Sequence, residues 1–256
     1  GLSAGWYDVA WAAGAIIVGF ALASHMRQCE YDTINKMLEC VFGNAFSLVS
    51  TCIQVIINTV IIALQIIAGG TILTALMPDV FSLQLGIIVS AVMFGIISFV
   101  GGLMAASLSN VVNIAVIYIG LVIGVVATVF HFGGFETINA ALPVGMSGDG
   151  SHWYSLVSGM GMAAIVAWFV TMIIDAVPNG GVVQNIIAAR SPEDAKKGTI
   201  FAGILMIPAG FISAIFGIVA AAYFPGLESS AMALPSVVMQ LPSWVAGILL
   251  AGLWAA

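Results

Sequence analysis

Residues 83–103 read LQLGIIVSAVMFGIISFVGGL and contain no charged side chain. A helix needs about 20 mostly apolar residues to cross the hydrocarbon core of a bilayer, so this stretch is long enough to span it. Long uninterrupted apolar runs indicate helices, because barrel strands would show short segments of alternating polarity. The sequence therefore predicts an all-α integral membrane protein, a multi-span helical bundle that forms a single transmembrane domain. By the same reasoning, further spans are predicted at 5–24, 45–77, 107–131, 153–177, 199–223 and 242–256.

The composition limits the functions that are open to this chain. Hydrophobic residues make up 62% of the 256 residues and charged residues only 6%, whereas soluble domains have about 25% charged residues. Five Lys and Arg cannot neutralise a row of phosphates, which excludes a nucleic-acid-binding protein. Three Cys are too few for a disulfide scaffold. No metalloprotease, nucleophile-elbow or phosphate-loop pattern supports an enzyme.

The basic residues indicate how the spans are threaded. All of them lie in two connections, 25–44 and 178–198, which the order of the predicted spans places on the same side of the membrane. The connections on the opposite side, around Asp79, Glu136 and Glu228, contain acids and neither Lys nor Arg. Positive charges collect on the cytoplasmic side of membrane proteins. We therefore expect a multi-pass protein of the plasma membrane with both basic connections in the cytoplasm.

Two helix starts can be predicted within these connections. Ser191 precedes Pro192 and two acids, a pattern typical of an N-cap and the first turn of a helix. It predicts a short surface helix that leads into the span 199–223. A second start precedes the amphipathic stretch 34–42, which Gly43 is expected to end.

Three segments resemble one family of membrane proteins. Residues 185–198 read NIIAARSPEDAKKG, similar to a loop in which a helix end leads through Ala-Ala-Lys/Arg-Ser to an Ala-x-Lys-Gly helix start. Residues 101–105 read GGLMA, similar to a Gly-Gly-Leu-x-Ala turn, and residues 32–43 resemble a segment that runs from Thr-x-Pro-Glu to Arg-Phe-Gly. All three occur in this order in the sodium:solute symporter family, and the resemblance extends over essentially the whole chain.

That resemblance implies a LeuT-like bundle of five plus five helices in inverted repeat, with solute and sodium bound near the midplane. The predicted spans would be core helices two to eight, so the chain is expected to be a piece of a longer bundle. Ala256 corresponds to a sodium-binding alanine of the family, which implies a backbone ligand for Na⁺ as coupling ion; no organic cofactor is expected. The chain departs from the family's motifs at Asn35, Lys36 and Val41, and Asn110 replaces an Asp of many members.

Asp175 is the clearest ionisable group inside a predicted span, where a charge costs about 2.5 to 3.5 kcal/mol and by default indicates function. Thr171 and Asn179 lie four residues before and after it, on one helical face, and Pro178 frees a backbone carbonyl. This stripe is typical of a solute-lining surface or an inner gate. The alternative is an Asp that stays hydrated at the cytoplasmic interface. By resemblance, position 175 corresponds to an inner-gate aromatic of sugar carriers, and an acid there suggests a different, cationic solute.

Asp8 is the second candidate for contact with the solute. By resemblance it corresponds to a carboxylate of sugar-carrying members that contacts substrate. The alternative is an Asp favoured by the dipole at a helix start, among Trp6, Tyr7 and Trp11 of an interfacial aromatic belt. If Asp8 and Asp175 both face the central cavity, the natural ligand is a cation or an amine, since two desolvated carboxylates need a positive partner or a proton.

Other polar side chains lie within the span 45–77. Gln54, Asn58 and Gln65 have near-helical spacing, and hydrogen bonding between helices is their predicted role, with solute lining as the alternative. The whole pattern predicts sodium-coupled symport of a small polar solute, a cation or an amine in the case above, by alternating access. The expected partners are that solute and the lipid bilayer. A transporter-like membrane sensor and a structural subunit of a membrane complex are the alternatives, and the sequence does not specify the oligomeric state.

Overall fold

The computed structural model describes residues 1–29, 31, 33–143, 150–227 and 229–255, and the regular structure in these residues is helical, without strands. Short 3₁₀ helices occur at Leu2–Gly5, Gly150–Trp153 and Ser230–Met232. The α-helices, in chain order, are α1 (Trp6–Ala21), α2 (Ala23–Gln28), α3 (Ile34–Phe42), α4 (Asn44–Leu76), α5 (Leu83–His131), α6 (Gly134–Ala141), α7 (Met162–Ala176), α8 (Gly180–Ala188), α9 (Pro192–Tyr223), α10 (Ala233–Val238) and α11 (Ser243–Ala255).

Several of these helices are long and apolar enough to cross a membrane. The segments that qualify are Leu2–Ala21, Asn44–Leu76, Leu83–Gly102, Ser109–His131 and Pro192–Tyr223, and α7 with α8 forms a further, bent candidate. Their surfaces expose large apolar side chains: Phe99 is 93% exposed and Val100 81%. Such surfaces are stable in lipid and not in water. The prediction of an all-α, multi-span membrane bundle is confirmed.

The long apolar helices agree with the predicted spans in α5 and extend beyond the predicted span in α9. The spans 83–103 and 107–131 correspond to two candidate spans within α5, Leu83–Gly102 and Ser109–His131, and the helix is kinked at Gly102, which has φ 59° and ψ −171°. Only glycine adopts that backbone conformation readily, so it marks the boundary between two membrane-crossing halves. The predicted surface helix before 199–223 is continuous with that span, since α9 already begins at Pro192.

The predicted helix starts in the two basic connections are present. The side chain of Ser191 accepts a hydrogen bond from the N–H of Asp194 at 3.1 Å, which makes it the N-cap of α9. Thr33 caps α3 in the same way, and its hydroxyl accepts from the N–H of Lys36 at 3.2 Å. Gly43 ends α3 with φ 86°. The prediction of a helix over 34–42 is therefore confirmed.

The span predicted at 153–177 differs most from the structure. Its helix, α7, begins only at Met162 and ends at Ala176, and a second helix, α8, starts at Gly180 with a bend of 46° between them. Pro178 in the connection has no N–H to continue the helix, which is the physical reason for the break. Residues 154–161 precede α7 outside any helix.

Two compact units divide the chain. The first, which we call the α1 unit, consists of Leu2–Thr59 and Tyr154–Phe211; the second, the α5 unit, consists of Gly1, Val60–Trp153 and Ile212–Ala256. In the α5 unit, the ring of Phe94 lies 5.3 Å from that of Trp254, and the Tyr223 hydroxyl donates to the Phe132 carbonyl at 3.3 Å. A largely apolar cavity of about 340 Å³ lies beside Trp153 and Phe224.

In the α1 unit, α1 packs between α7 and α9. A Cβ placed on Gly14 would lie 2.8 Å from the carbonyl oxygen of Met172 in α7, and one on Gly203 of α9 would lie 2.9 Å from that of Ala12. Only residues without a side chain allow backbones to approach so closely. The order of the contacts shows that α1 runs parallel to α7 and antiparallel to α9.

One end of the α1 unit gathers both basic connections, and we call it the basic end. A buried apolar cluster joins α1, α2, α3, α7, α8 and the start of α9 there. Arg27 donates from Nε to the carbonyl of Ala189 at 2.7 Å, and Ser24 donates to the carbonyl of Pro192 at 3.1 Å. The connections 25–44 and 178–198 are thus in contact, and their placement in the cytoplasm stays a prediction.

Candidate functional site

The break between α7 and α8 is encoded by two adjacent residues. Pro178 cannot donate to the carbonyl of Ile174, four residues earlier, so the α7 ladder stops there. Asn179 then starts the next helix, because its Oδ1 accepts hydrogen bonds from the N–H groups of Gly181 at 3.1 Å and Val182 at 3.2 Å. An Asn in this position is a strong N-cap. The bend between α7 and α8 is therefore encoded locally, by Pro178 and Asn179.

Asp175 lies in the last turn of α7, directly before this break, and is half-buried. Asn179 donates from Nδ2 to Oδ2 of Asp175 at 3.4 Å, so one side chain both caps α8 and contacts the carboxylate. The structure does not add Thr171 to this pair: its side chain is exposed, and its hydroxyl donates to the carbonyl of Ala167 in its own helix at 2.8 Å. The role of these residues in solute binding stays a prediction.

A chain of polar side chains reaches the break from α4 and α3. Gln54 donates from Nε2 to the carbonyl oxygen of Pro178 at 3.5 Å, and its Oε1 accepts from Nδ2 of Asn35 at 3.4 Å. Ser50 donates to Oδ1 of Asn35 at 3.0 Å, and Ser47 donates to the Asn35 carbonyl at 3.1 Å. We call these four side chains, Ser47, Ser50, Gln54 and Asn35, the Gln54 chain.

The sequence predicted part of this chain. Hydrogen bonding between helices is confirmed for Gln54, whereas Asn58 and Gln65 are exposed in the structure. Ser47 and Ser50 were missed, although they lie seven and four residues before Gln54 on one face of an otherwise apolar helix. That spacing was the available signal. Asn35 was noted only as a departure from a family motif.

Asp8 occupies a different part of the α1 unit. It lies in the first turn of α1 and is half-buried, facing α9, where a Cβ on Gly210 would lie 2.8 Å from its Oδ2. Aromatic rings surround this end of α1: the ring of Trp6 is 5.8 Å from that of Phe211, and the ring of Tyr7 is 5.4 Å from that of Trp168. The half-buried carboxylate of Asp8 and these rings thus lie at the same end of α1.

The register of α1 against α7 sets the spacing of the two carboxylates. Tyr7 contacts Trp168, so Asp8 is level with the first half of α7. Asp175 lies about six residues further along the parallel helix, roughly 9 Å in the axial direction at 1.5 Å per residue. A single small ion cannot bind both carboxylates directly at that separation. The two carboxylates therefore lie at two different heights, or levels, along the helices of the α1 unit.

Neither the predicted sodium ligand nor a cluster of metal-binding side chains can be placed among the described residues. Ala256, the predicted sodium ligand, lies outside the described residues. Within the part of the chain that the structure describes, no three His, Cys, Asp or Glu side chains are grouped so that they could hold a metal ion.

Comparison with known proteins identifies the family of this chain. A comparison with curated protein sequences gave no match. The model of the sodium:solute symporter family matches residues 1–256, the whole of the printed sequence. This is a family of transporters and not of enzymes, and it couples solute movement to sodium. The chain, with its apolar spans and its broken α7–α8 helix, belongs to the sodium:solute symporter family.

Proposed function

We propose that the protein carries a small polar solute, with a cation or an amine favoured, into the cell together with sodium by alternating access. The observation that carries this proposal is Asp175, a half-buried acid at a break in a helix that is otherwise uncharged from Met162 to Ala176. An ionisable group in a span is costly and by default functional. Discontinuous helices are the elements on which transporters of this architecture bind solutes and ions.

The charge balance of the α1 unit supports a cationic solute. The ion pairs found among the described residues are Lys36 with Glu39 and Lys197 with Glu193, and neither includes Asp8 or Asp175. A carboxylate in a low-dielectric site is stabilised by a positive partner. We infer that the amine of a solute supplies this partner, first beside Asp8 and its aromatic neighbours and then beside Asp175 and Asn179, with Thr171 on the same face of α7.

Sodium enters the proposal as the coupling ion of the family. By the resemblance of this chain to other members, the backbone carbonyl of Ala256 would contribute to the sodium site. If sodium stabilises the outward-open state, and that state binds the solute more tightly, the two binding free energies are coupled through one conformational equilibrium. In this scheme the basic end of the α1 unit faces the cytoplasm of a plasma-membrane protein.

Uptake into liposomes tests the proposal. The full-length protein is reconstituted, and the uptake of radiolabelled amines, amino acids and sugars is measured with an inward sodium gradient and with potassium on both sides. We expect at least one amine to accumulate only in the presence of the sodium gradient. Accumulation that proceeds equally well in potassium would contradict sodium coupling, and uptake of sugars alone would contradict the cationic solute.

A further inference from the structure

The break between α7 and α8 is contacted from outside its own helices by both polar and apolar groups. On the polar side, the amide of Gln54 donates to the carbonyl of Pro178, a residue 124 positions away in sequence. On the apolar side, Ile34 at the start of α3 is buried in the same cluster as Ala176, the last residue of α7, and Val183 of α8. Both contacts come from the α3–α4 segment. That segment therefore contacts both sides of the bend.

The Gln54 chain has one consistent hydrogen-bond direction. Ser50 donates to Asn35, Asn35 donates to Gln54, and Gln54 donates to the Pro178 carbonyl. The carbonyl of Pro178 lies outside the α8 ladder, since the N–H of Val182, four residues later, donates to the side chain of Asn179 instead, so this carbonyl is free to accept a donor from elsewhere. Gln54 supplies that donor to the break. Asn35 in turn fixes the orientation of the Gln54 amide.

The contact between α4 and the break is also narrow. The two amide links measure 3.4 Å and 3.5 Å, longer than the usual distance of about 2.9 to 3.0 Å. The positions around them on α4, from Leu48 to Thr59, are exposed apart from Ser50 and Gln54. A narrow polar stripe, with no broad apolar contact beside it, joins this half of α4 to the break.

We propose that Gln54 is a positioning residue, which acts from α4 on the α7–α8 break and, through the break, on Asp175 and Asn179. While the Gln54 chain is closed, the start of α8 and the Asn179 cap are fixed; when it opens, the break becomes mobile and Asp175 becomes accessible from the basic end. The last clause rests on the proposed transport function. The mechanical part, that α4 controls the order of the break, does not.

Hydrogen–deuterium exchange of the full-length protein in nanodiscs measures the order of the break without any solute. Gln54→Met keeps the volume of the side chain but removes both hydrogen bonds, whereas Gln54→Glu keeps an acceptor for Asn35 and loses the donor to Pro178. We expect both variants to raise the exchange rate of the amides at residues 180–183 by about threefold to tenfold, the effect of losing one neutral hydrogen bond. Exchange in α9 beyond Phe211 should not change.

Asn58→Met is the matched control, since Asn58 is an exposed amide one turn along the same helix. It should leave exchange at the break within about twofold of the unmodified protein, a smaller change than one lost hydrogen bond produces. Asn35→Ala should act like Gln54→Met, and the double variant should add nothing to either single change, because the residues form one chain.

These measurements distinguish the possible results. If Gln54→Met and Asn58→Met give the same exchange at the break, or if Asn35→Ala and Gln54→Met have additive effects, the positioning role is wrong, whatever the transport assay shows. If exchange at the break rises as expected but solute uptake is independent of sodium, the positioning role holds and the proposed function fails. If the Gln54→Met variant is not produced as a folded protein, Ser50→Ala is measured instead. It removes one donor of the Gln54 chain and must give a smaller rise in the exchange of the same amides.

Discussion

The contact of α1 with α7 and the break at the end of α7 are neighbouring regions of one unit that are held together in different ways. Along α1, Ala10 and Ala12 are fully buried, and Gly14 brings the backbone against α7. At the break, amide hydrogen bonds of 3.4 Å and 3.5 Å from Asn179 and Gln54 are added to the buried apolar cluster that contains Ala176 and Val183. Close-packed interfaces resist deformation, whereas weakly bonded segments open locally. If the break opens as proposed, α1 and α7 form a rigid helix pair that ends in a movable joint, with Asp175 at the joint.

The largest expected effect comes from disrupting the close contact between α1 and α7. Gly14→Leu places a side chain where even a Cβ would lie 2.8 Å from the Met172 carbonyl and 2.9 Å from the Cβ of Ala176. Overpacking of this kind costs about 3 kcal/mol, so we expect a large loss of thermal stability of the full-length protein in detergent. Gly198→Leu is the control, because Gly198 is exposed and has no atom within 4 Å of its Cβ position. Equal losses in both variants would show that α1 is not closely packed on α7.

The next effect concerns the charge at the joint. Asp175→Asn keeps the shape of the side chain and removes the charge, so the affinity for a cationic solute should fall by about tenfold to a hundredfold, the range for hydrogen bonds to charged groups. The measurement is equilibrium binding of the transported amine. Asp79→Asn, in the exposed turn between α4 and α5, should leave affinity unchanged. Unchanged affinity in Asp175→Asn would return this residue to the hydrated interface.

A smaller change tests how the joint is capped. Asn179→Ala removes the side chain that accepts from Gly181 and Val182, and the loss of an N-cap costs about 1 kcal/mol. We expect faster hydrogen exchange at the start of α8 with little effect on the exchange of α1. Asn179→Ser retains a capping oxygen and should restore slow exchange. A variant with Ser that exchanges as fast as the one with Ala would mean that the cap does not order α8.

The smallest effect is expected at Asp8, near the start of α1. Asp8→Asn should weaken the binding of an amine by about threefold, because aromatic faces such as that of Trp6 continue to attract the cation. Trp6→Leu in the same background should then reduce binding further. If Asp8→Asn lowers affinity as much as Asp175→Asn, the two carboxylates contribute equally to binding. The difference between the α1–α7 contact and the α7–α8 break would then have no counterpart in solute binding.

The fold could largely be predicted because lipid imposes simple rules on sequence. Uncharged stretches such as 83–103 had to be spans, and the caps at Thr33 and Ser191 are local signals that the structure reproduces. The break of the span 153–177 was harder to place. Pro178 indicated where the helix would end. Its start was not predictable, because residues 154–161 lie outside any helix and apolar composition alone does not distinguish them from the helical residues that follow.

The candidate site was less predictable, because it depends on contacts between distant segments. Helical spacing brought Asp175 and Asn179 together, and the structure agrees. The same spacing gave no indication that Thr171 would bond within its own helix or that Asn35 would meet Gln54. The axial separation of Asp8 from Asp175 follows from the register of α1 against α7, which glycine contacts determine and a single sequence does not show.

Sodium dependence of solute binding tests the central claim most directly. The affinity of the full-length protein for a transported amine is measured by equilibrium binding in sodium and in potassium at equal ionic strength. Coupling free energies between two ligands are typically about 1 to 3 kcal/mol, so we predict roughly fivefold to 150-fold tighter binding in sodium. Equal affinity in the two salts would contradict coupling between the ion and the solute, and with it the account of this protein as a sodium-driven carrier.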